Sequence, residues 1–203
     1  MKTRHFLPAL LVIAAASAAH AGLIYSGVQN VPVPLTLDGV YLSMSNGATT
    51  GSYPGDWGTA PWINPFFGGV DVANSDLLRP ITTGAGQLVN LASGTVIDST
   101  GNFVLGESGS STHVGPAANQ FQIGTPGILG FEFETTTGGP MYYGWLRMTV
   151  NNSGSGNIVD WAYDNAAGTP VQAGISSVPE PAAMLVGVSL CAVGMLRRRR
   201  GAA

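Results

Sequence analysis

Phe131-Glu132-Phe133-Glu134, Tyr142-Tyr143-Gly144-Trp145-Leu146-Arg147-Met148-Thr149-Val150 and Ile158-Val159-Asp160-Trp161-Ala162-Tyr163-Asp164 share one rhythm. Apolar and polar side chains alternate in each, the period-two pattern of a half-buried strand. Two phenylalanines face one way in the first segment and two glutamates the other. In the second, Leu146, Met148 and Val150 are expected to point inward while Arg147 and Thr149 meet water. In the third, Val159, Trp161 and Tyr163 share one face, and Asp160 and Asp164 the other. Gly138-Gly139-Pro140 and Ser153-Gly154-Ser155-Gly156 separate the segments with residues that favour turns over regular structure.

Working outward, Leu35 to Met44, Gln87 to Ile97, Asn102 to Leu105 and Phe121 to Ile123 read as weaker strands, with Asn46-Gly47 as another turn. Many short strands at this spacing, with little sign of helix, predict an all-β chain: a single antiparallel β-sandwich or jelly-roll-like domain over 22–175. Asn46 to Phe67 stands apart as a long Gly- and Pro-rich loop carrying Tyr53, Trp57, Trp62, Phe66 and Phe67. Loops of such length are usually functional or disordered, and five aromatics speak against disorder. Glu107 to Gly115 reads as a smaller, mobile Ser/Gly-rich loop.

The two ends are processing segments. Lys2 and Arg4 precede an apolar run from Phe6 to Ala19, and Ala19-His20-Ala21 is a small-x-small cleavage site, so 1–21 is expected to be a Sec-type signal peptide. Ala16-Ser17-Ala18 offers a second cut. At the other end, Val178-Pro179-Glu180-Pro181 is followed by an uncharged stretch, Ala182 to Leu196, and then by Arg197, Arg198, Arg199 and Arg200. As a helix that stretch reaches roughly 22 Å, short of the ~30 Å hydrocarbon core, so snorkelling arginines or local thinning must close the gap. Arginines stay on the cytoplasmic side, which places the preceding domain outside the inner membrane.

Setting these ends aside changes the charge. Arg79 and Arg147 are the only basic side chains between Gly22 and Pro181, against all eleven acidic residues, a net charge of −9 with no lysine. Such a surface repels nucleic acid and keeps an exported domain soluble. The single cysteine, Cys191, lies in the C-terminal apolar stretch, so no internal disulfide is available to the domain.

Motif, short apolar helix and basic end, in that order over Ser177 to Gly201, resemble the PEP-CTERM sorting domain of exported bacterial proteins. The resemblance implies a segment, 176–201, whose residues Val178, Pro179, Glu180 and Pro181 are recognised by an exosortase, a membrane cysteine protease of Gram-negative bacteria that make exopolysaccharide. It also implies passage through the Sec translocon and signal peptidase, a transient inner-membrane anchor, and final residence at the cell surface or in the extracellular matrix. Tyr143-Gly144-Trp145-Leu146-Arg147 with Trp161-Ala162-Tyr163 is similar to a strand pair common in such passengers, and implies no activity.

The expectation is therefore a non-enzymatic surface or matrix protein associated with exopolysaccharide or biofilm, needing no cofactor and binding no nucleic acid. Alternatives are a carbohydrate- or calcium-binding adhesion module and a secreted glycan-active enzyme. Trp57 and Trp62 could stack on sugar rings, with Asp56 and Asn64 binding hydroxyls, although packing of that loop onto the core explains the aromatics as well. Asp71, Asn74 and Asp76 offer hard oxygen ligands for calcium without matching an EF-hand, and turn chemistry also selects them. Glu132 and Glu134 have the spacing of a carboxylate pair, about 7 Å along a strand, yet an exposed solvating face accounts for them too. His113 beside Ser111 reads as a solvated loop residue, and no nucleophile elbow or metal-binding helix motif is present. No catalytic residue is assigned.

Overall fold

The computed structural model describes residues 22–104 and 111–176, and it is all-β. In chain order the strands are β1 (Leu23–Tyr25), β2 (Val31–Val33), β3 (Tyr41–Ser43), β4 (Thr49–Thr50), β5 (Trp62–Phe66) and β6 (Asp71–Asn74). They continue as β7 (Leu78–Pro80), β8 (Val96–Ile97), β9 (Pro126–Glu134), β10 (Met141–Thr149), β11 (Gly156–Asp164) and β12 (Val171–Gln172). Among the described residues the helical elements are two 3-10 turns, Phe67–Gly69 and Ser111–His113, and no helix is long and apolar enough to cross a membrane. The expected signal peptide, with Ala19 and Ala21, and the sorting signal, with Val178 to Pro181 and Arg197 to Arg200, lie outside the described residues.

The three segments with the strongest alternation form the meander β9–β10–β11 at the centre of a six-stranded antiparallel sheet. β7 borders β9, while β1 and β2 share the far side of β11. A four-stranded sheet runs β4-β3-β5-β6, and a third pairs β12 with β8; none closes into a barrel. The first two sheets share one apolar core: Leu42, Ile63 and Val72 from the smaller, Leu129, Phe131, Phe133, Leu146, Met148 and Ile158 from the larger. Each such side chain, fully buried, contributes about 1.5–3 kcal/mol, so this layer is the main source of stability.

The opposite face of the meander is also covered, where a half-buried sheet was expected. Ile128, Tyr143, Trp145 and Ala162 pack beneath Ile97, Val171 and Ala173, and Phe103 stacks on Tyr143. Gly130 permits this close cover, because a Cβ there would press on the side chains of Leu91, Ile81 and Ile97. Asp160 and Asp164, expected to face water, are consequently buried.

Within β11 the phase differs from simple alternation. Leu146 pairs with Trp161 and Arg147 with Asp160, but Met148 pairs with Ile158, so Val159 is an extra residue. This β-bulge places Ile158 in the core and leaves Val159 half-buried outside it. At the same point the outer edge changes partner: β1 ends, Val159 O accepts from Gln29 N and Asn30 N, and β2 begins.

The weaker strands are shorter than expected. Of Leu35 to Met44 only Tyr41–Ser43 is a strand, and of Gln87 to Ile97 only Val96–Ile97; Leu88, Asn90, Phe103 and Phe121 make isolated bridges. The aromatic stretch Asn46 to Phe67 is not one long loop, since it contains β4 and β5. Pro32 and Pro80 sit in β2 and β7, each paired on one side only, where a missing N–H costs no ladder bond.

Candidate functional site

Alternation along the small sheet turns Leu42, Ile63 and Val72 to the core and their neighbours to the outside. The register pairs Leu42 with Ile63 and Asn64 with Ala73, which sets Tyr41, Asn64 and Ala73 abreast on the outer face. The segment after β4 folds over this row. Its turn is held by Trp57 N donating to Pro54 O and Ala60 N to Asp56 O, at 3.2 and 2.9 Å. Trp62 pins it further: its indole N–H donates to Asp56 Oδ1 at 3.0 Å, and its backbone N–H to Ser75 Oγ at 2.9 Å. Trp62 is thereby buried, and Trp57 is brought over Tyr41, with ring centroids 5.5 Å apart at 89°. Tyr53 packs against both, 6.0 Å from Tyr41 and 5.7 Å from Trp57, yet keeps 66% of its surface exposed.

Between these rings and the sheet lies a hollow of about 320 Å³, lined also by Leu37, Asn64 and Ala73. Asn64 is 4% exposed, and its amide orientation is set by two backbone acceptors, Asp38 O at 2.8 Å and Val40 O at 3.0 Å, which both take Nδ2 hydrogens. Asn64 also lines the hollow, and with both Nδ2 hydrogens used, its Oδ1, to which no described residue donates, is the polar atom it can offer there. Burial, with Asp38 and Tyr53 adding to it, pushes the Tyr41 phenol above its ordinary range, so it remains a neutral hydroxyl. The site thus combines aromatic walls, a fixed acceptor and a protonated phenol.

The other candidate residues are placed differently. Glu132 and Glu134 do project from one face of β9, but that face is not a solvating one. Arg79 from β7 donates to Glu134 Oε1 from both terminal nitrogens at 3.1 Å and lies 3.6 Å from Glu132, while Gly138 N donates to Glu134 Oε2 at 2.6 Å. Burial pushes the Glu132 carboxyl up; Arg79 opposes this and Glu134 reinforces it. His113, expected in solvent, is fully buried edge-on against Phe121, with Nε2 3.2 Å from Gly69 O. Asp71 and Asn74 occupy positions of opposite parity in β6, so their side chains leave opposite faces of the strand. Asn74 is buried and donates to Leu78 O at 2.7 Å, while Asp76 is exposed in the following turn. Among the described residues no three His, Cys, Asp or Glu side chains gather as a metal site.

One polar cluster has no local sequence signal, because its members come from distant segments. The Tyr25 hydroxyl donates to Asp160 Oδ2 at 2.8 Å, Arg147 lies 3.4 Å from the same oxygen, and Arg147 also donates to Gly174 O at 3.0 Å. Arg147 spreads over the Trp145 ring, 5.3 Å from its centroid. The hydrogen bond to Asp160, then burial, pushes the Tyr25 phenol up. These contacts clasp β1 and the segment after β12 to the central sheet.

No family model matches this chain, and neither the curated proteins nor the solved structures searched contain a match to it.

Proposed function

We propose that the chain is an exported, non-enzymatic surface or extracellular-matrix protein with a sandwich-like passenger domain. In this reading a Sec signal peptide is cut after Ala21. Ala182 to Leu196 and Arg197 to Arg200 then hold the chain briefly in the inner membrane, and an exosortase acts at Val178-Pro179-Glu180-Pro181. The observation that carries the reading is the order of those three C-terminal parts. An apolar stretch this short is a poor permanent span but serves while a processing enzyme finds the motif. Two features fit it. The first and last described strands are Leu23–Tyr25 and Val171–Gln172, so neither cut would remove a strand. The passenger's acidic, lysine-free composition suits a soluble life outside the cell, in or on exopolysaccharide.

A binding role is favoured over a glycan-cleaving one by the state of Glu132 and Glu134. Arg79 engages both, and Glu134 is further held by Gly138, leaving the pair committed to structure. Replacing Val178 to Pro181 by four alanines tests the sorting step. Fractionated cells of the natural host should then hold the longer chain in the inner membrane at the expense of the surface form. An unchanged distribution would refute a role for the motif.

A further inference from the structure

We propose that the hollow beneath Tyr53 and Trp57 is a binding site for a neutral glycan, a site that does not depend on how the chain is sorted. Its size falls at the lower end of small-ligand clefts, roughly 300–1,000 Å³, and its lining follows their usual plan of apolar walls with a few placed polar groups. A pyranose has an apolar C–H face and a rim of hydroxyls. The exposed Tyr53 ring and the Trp57 beside it offer a surface for the face, while Asn64 Oδ1 accepts from a hydroxyl and the Tyr41 phenol can donate to or accept from another.

Three observations narrow the ligand class. First, Asn64 is 4% exposed and lines the hollow, and its Nδ2 hydrogens are taken by Asp38 O and Val40 O, which leaves Oδ1 as the acceptor it offers a ligand hydroxyl. Second, no cation is available for an acidic sugar. Arg79 and Arg147 are the passenger's only basic side chains, and they are spent on Glu132, Glu134 and Asp160. Third, the rings touch one another edge to face at 5.5 and 6.0 Å, closing the gap that an aromatic cage for a quaternary ammonium leaves between its walls. Rigidity favours binding as well: Trp62 and Asp56 hold the Trp57 turn before any ligand arrives.

The test is retention of the full chain on immobilised dextran, galactan and mannan, with alginate as the acidic counterpart and choline as a competing eluent. The wild type should be retained on at least one neutral polymer. Tyr53→Ala and Trp57→Ala should each weaken retention roughly tenfold or more, the usual consequence of truncating an aromatic anchor. Ala73→Leu, which adds bulk to the wall of the hollow and leaves the three rings in the sequence, should do the same. Should Trp57→Ala fail to fold by near-ultraviolet circular dichroism, Tyr53→Ala decides, since that ring is largely exposed. No retention on any neutral polymer, retention confined to alginate, elution by choline, or unchanged retention in Tyr53→Ala and Ala73→Leu would each overturn the proposal.

Discussion

At Arg79 one guanidinium serves two carboxylates that are not equal partners. Glu134 takes both arginine hydrogen bonds and a third from the Gly138 backbone, whereas Glu132 is 3.6 Å away and poorly hydrated. Removing the charge from Glu134 leaves a half-buried arginine with only the more distant Glu132 as counter-charge. Glu134→Gln should therefore cost about 1–3 kcal/mol, measured by urea unfolding at pH 7. Glu132→Gln should stay within about 0.5 kcal/mol there, because the lost attraction is offset by relief of burial. The two should also differ in pH dependence. Burial raises the folded-state pKa of Glu132 above its unfolded value, so the folded chain binds that proton more readily. Stability linked to Glu132 then falls as pH rises through and above the ordinary glutamate range, and Glu132→Gln should flatten that slope. None of this was legible locally: Phe131 to Glu134 announces a strand, but Arg79 arrives from β7, far away in sequence.

At the scale of elements, the same alternation that identified β9, β10 and β11 misassigned one residue of β11. Strict parity puts Val159 inside with Trp161 and Tyr163; the bulge opposite Arg147 puts Ile158 there instead. Truncation separates the two phases. Ile158→Ala should lose about 2–4 kcal/mol as a buried cavity, and Val159→Ala less than about 1 kcal/mol, by thermal or urea unfolding. The reverse order would mean that β11 keeps simple parity. Elsewhere legibility followed length. Nine-residue strands carry enough alternation to be read, whereas β1, β2, β4, β6 and β7 hold two to four residues each, and pairing rather than pattern defines them. The aromatic stretch illustrates the difference. Its composition marked it as unusual, but only the register of β3, β5 and β6 separates Trp62, which anchors the turn, from Trp57 and Tyr53, which wall the hollow.

For the whole molecule, the fold and the ends tell complementary stories. The larger sheet is covered on both faces, the smaller keeps its outer face for the aromatic hollow, and Arg79 and Arg147 are each held by carboxylates. The exposed charged side chains among the described residues, Asp38, Asp56 and Asp76, are all acidic, while most of the chain's positive charge sits at Lys2, Arg4 and Arg197 to Arg200, in segments expected to be cut away. Processing would therefore convert a chain of formal charge −3 into a far more acidic one. The export account is tested most directly by intact-mass and terminal-peptide spectrometry of the protein recovered from the surface and medium of its natural host. The recovered chain should begin at Gly22, or a few residues earlier, and end near Val178 to Pro181 without Arg197 to Arg200. Recovery of extracellular protein that mostly retains the arginine tail would contradict it.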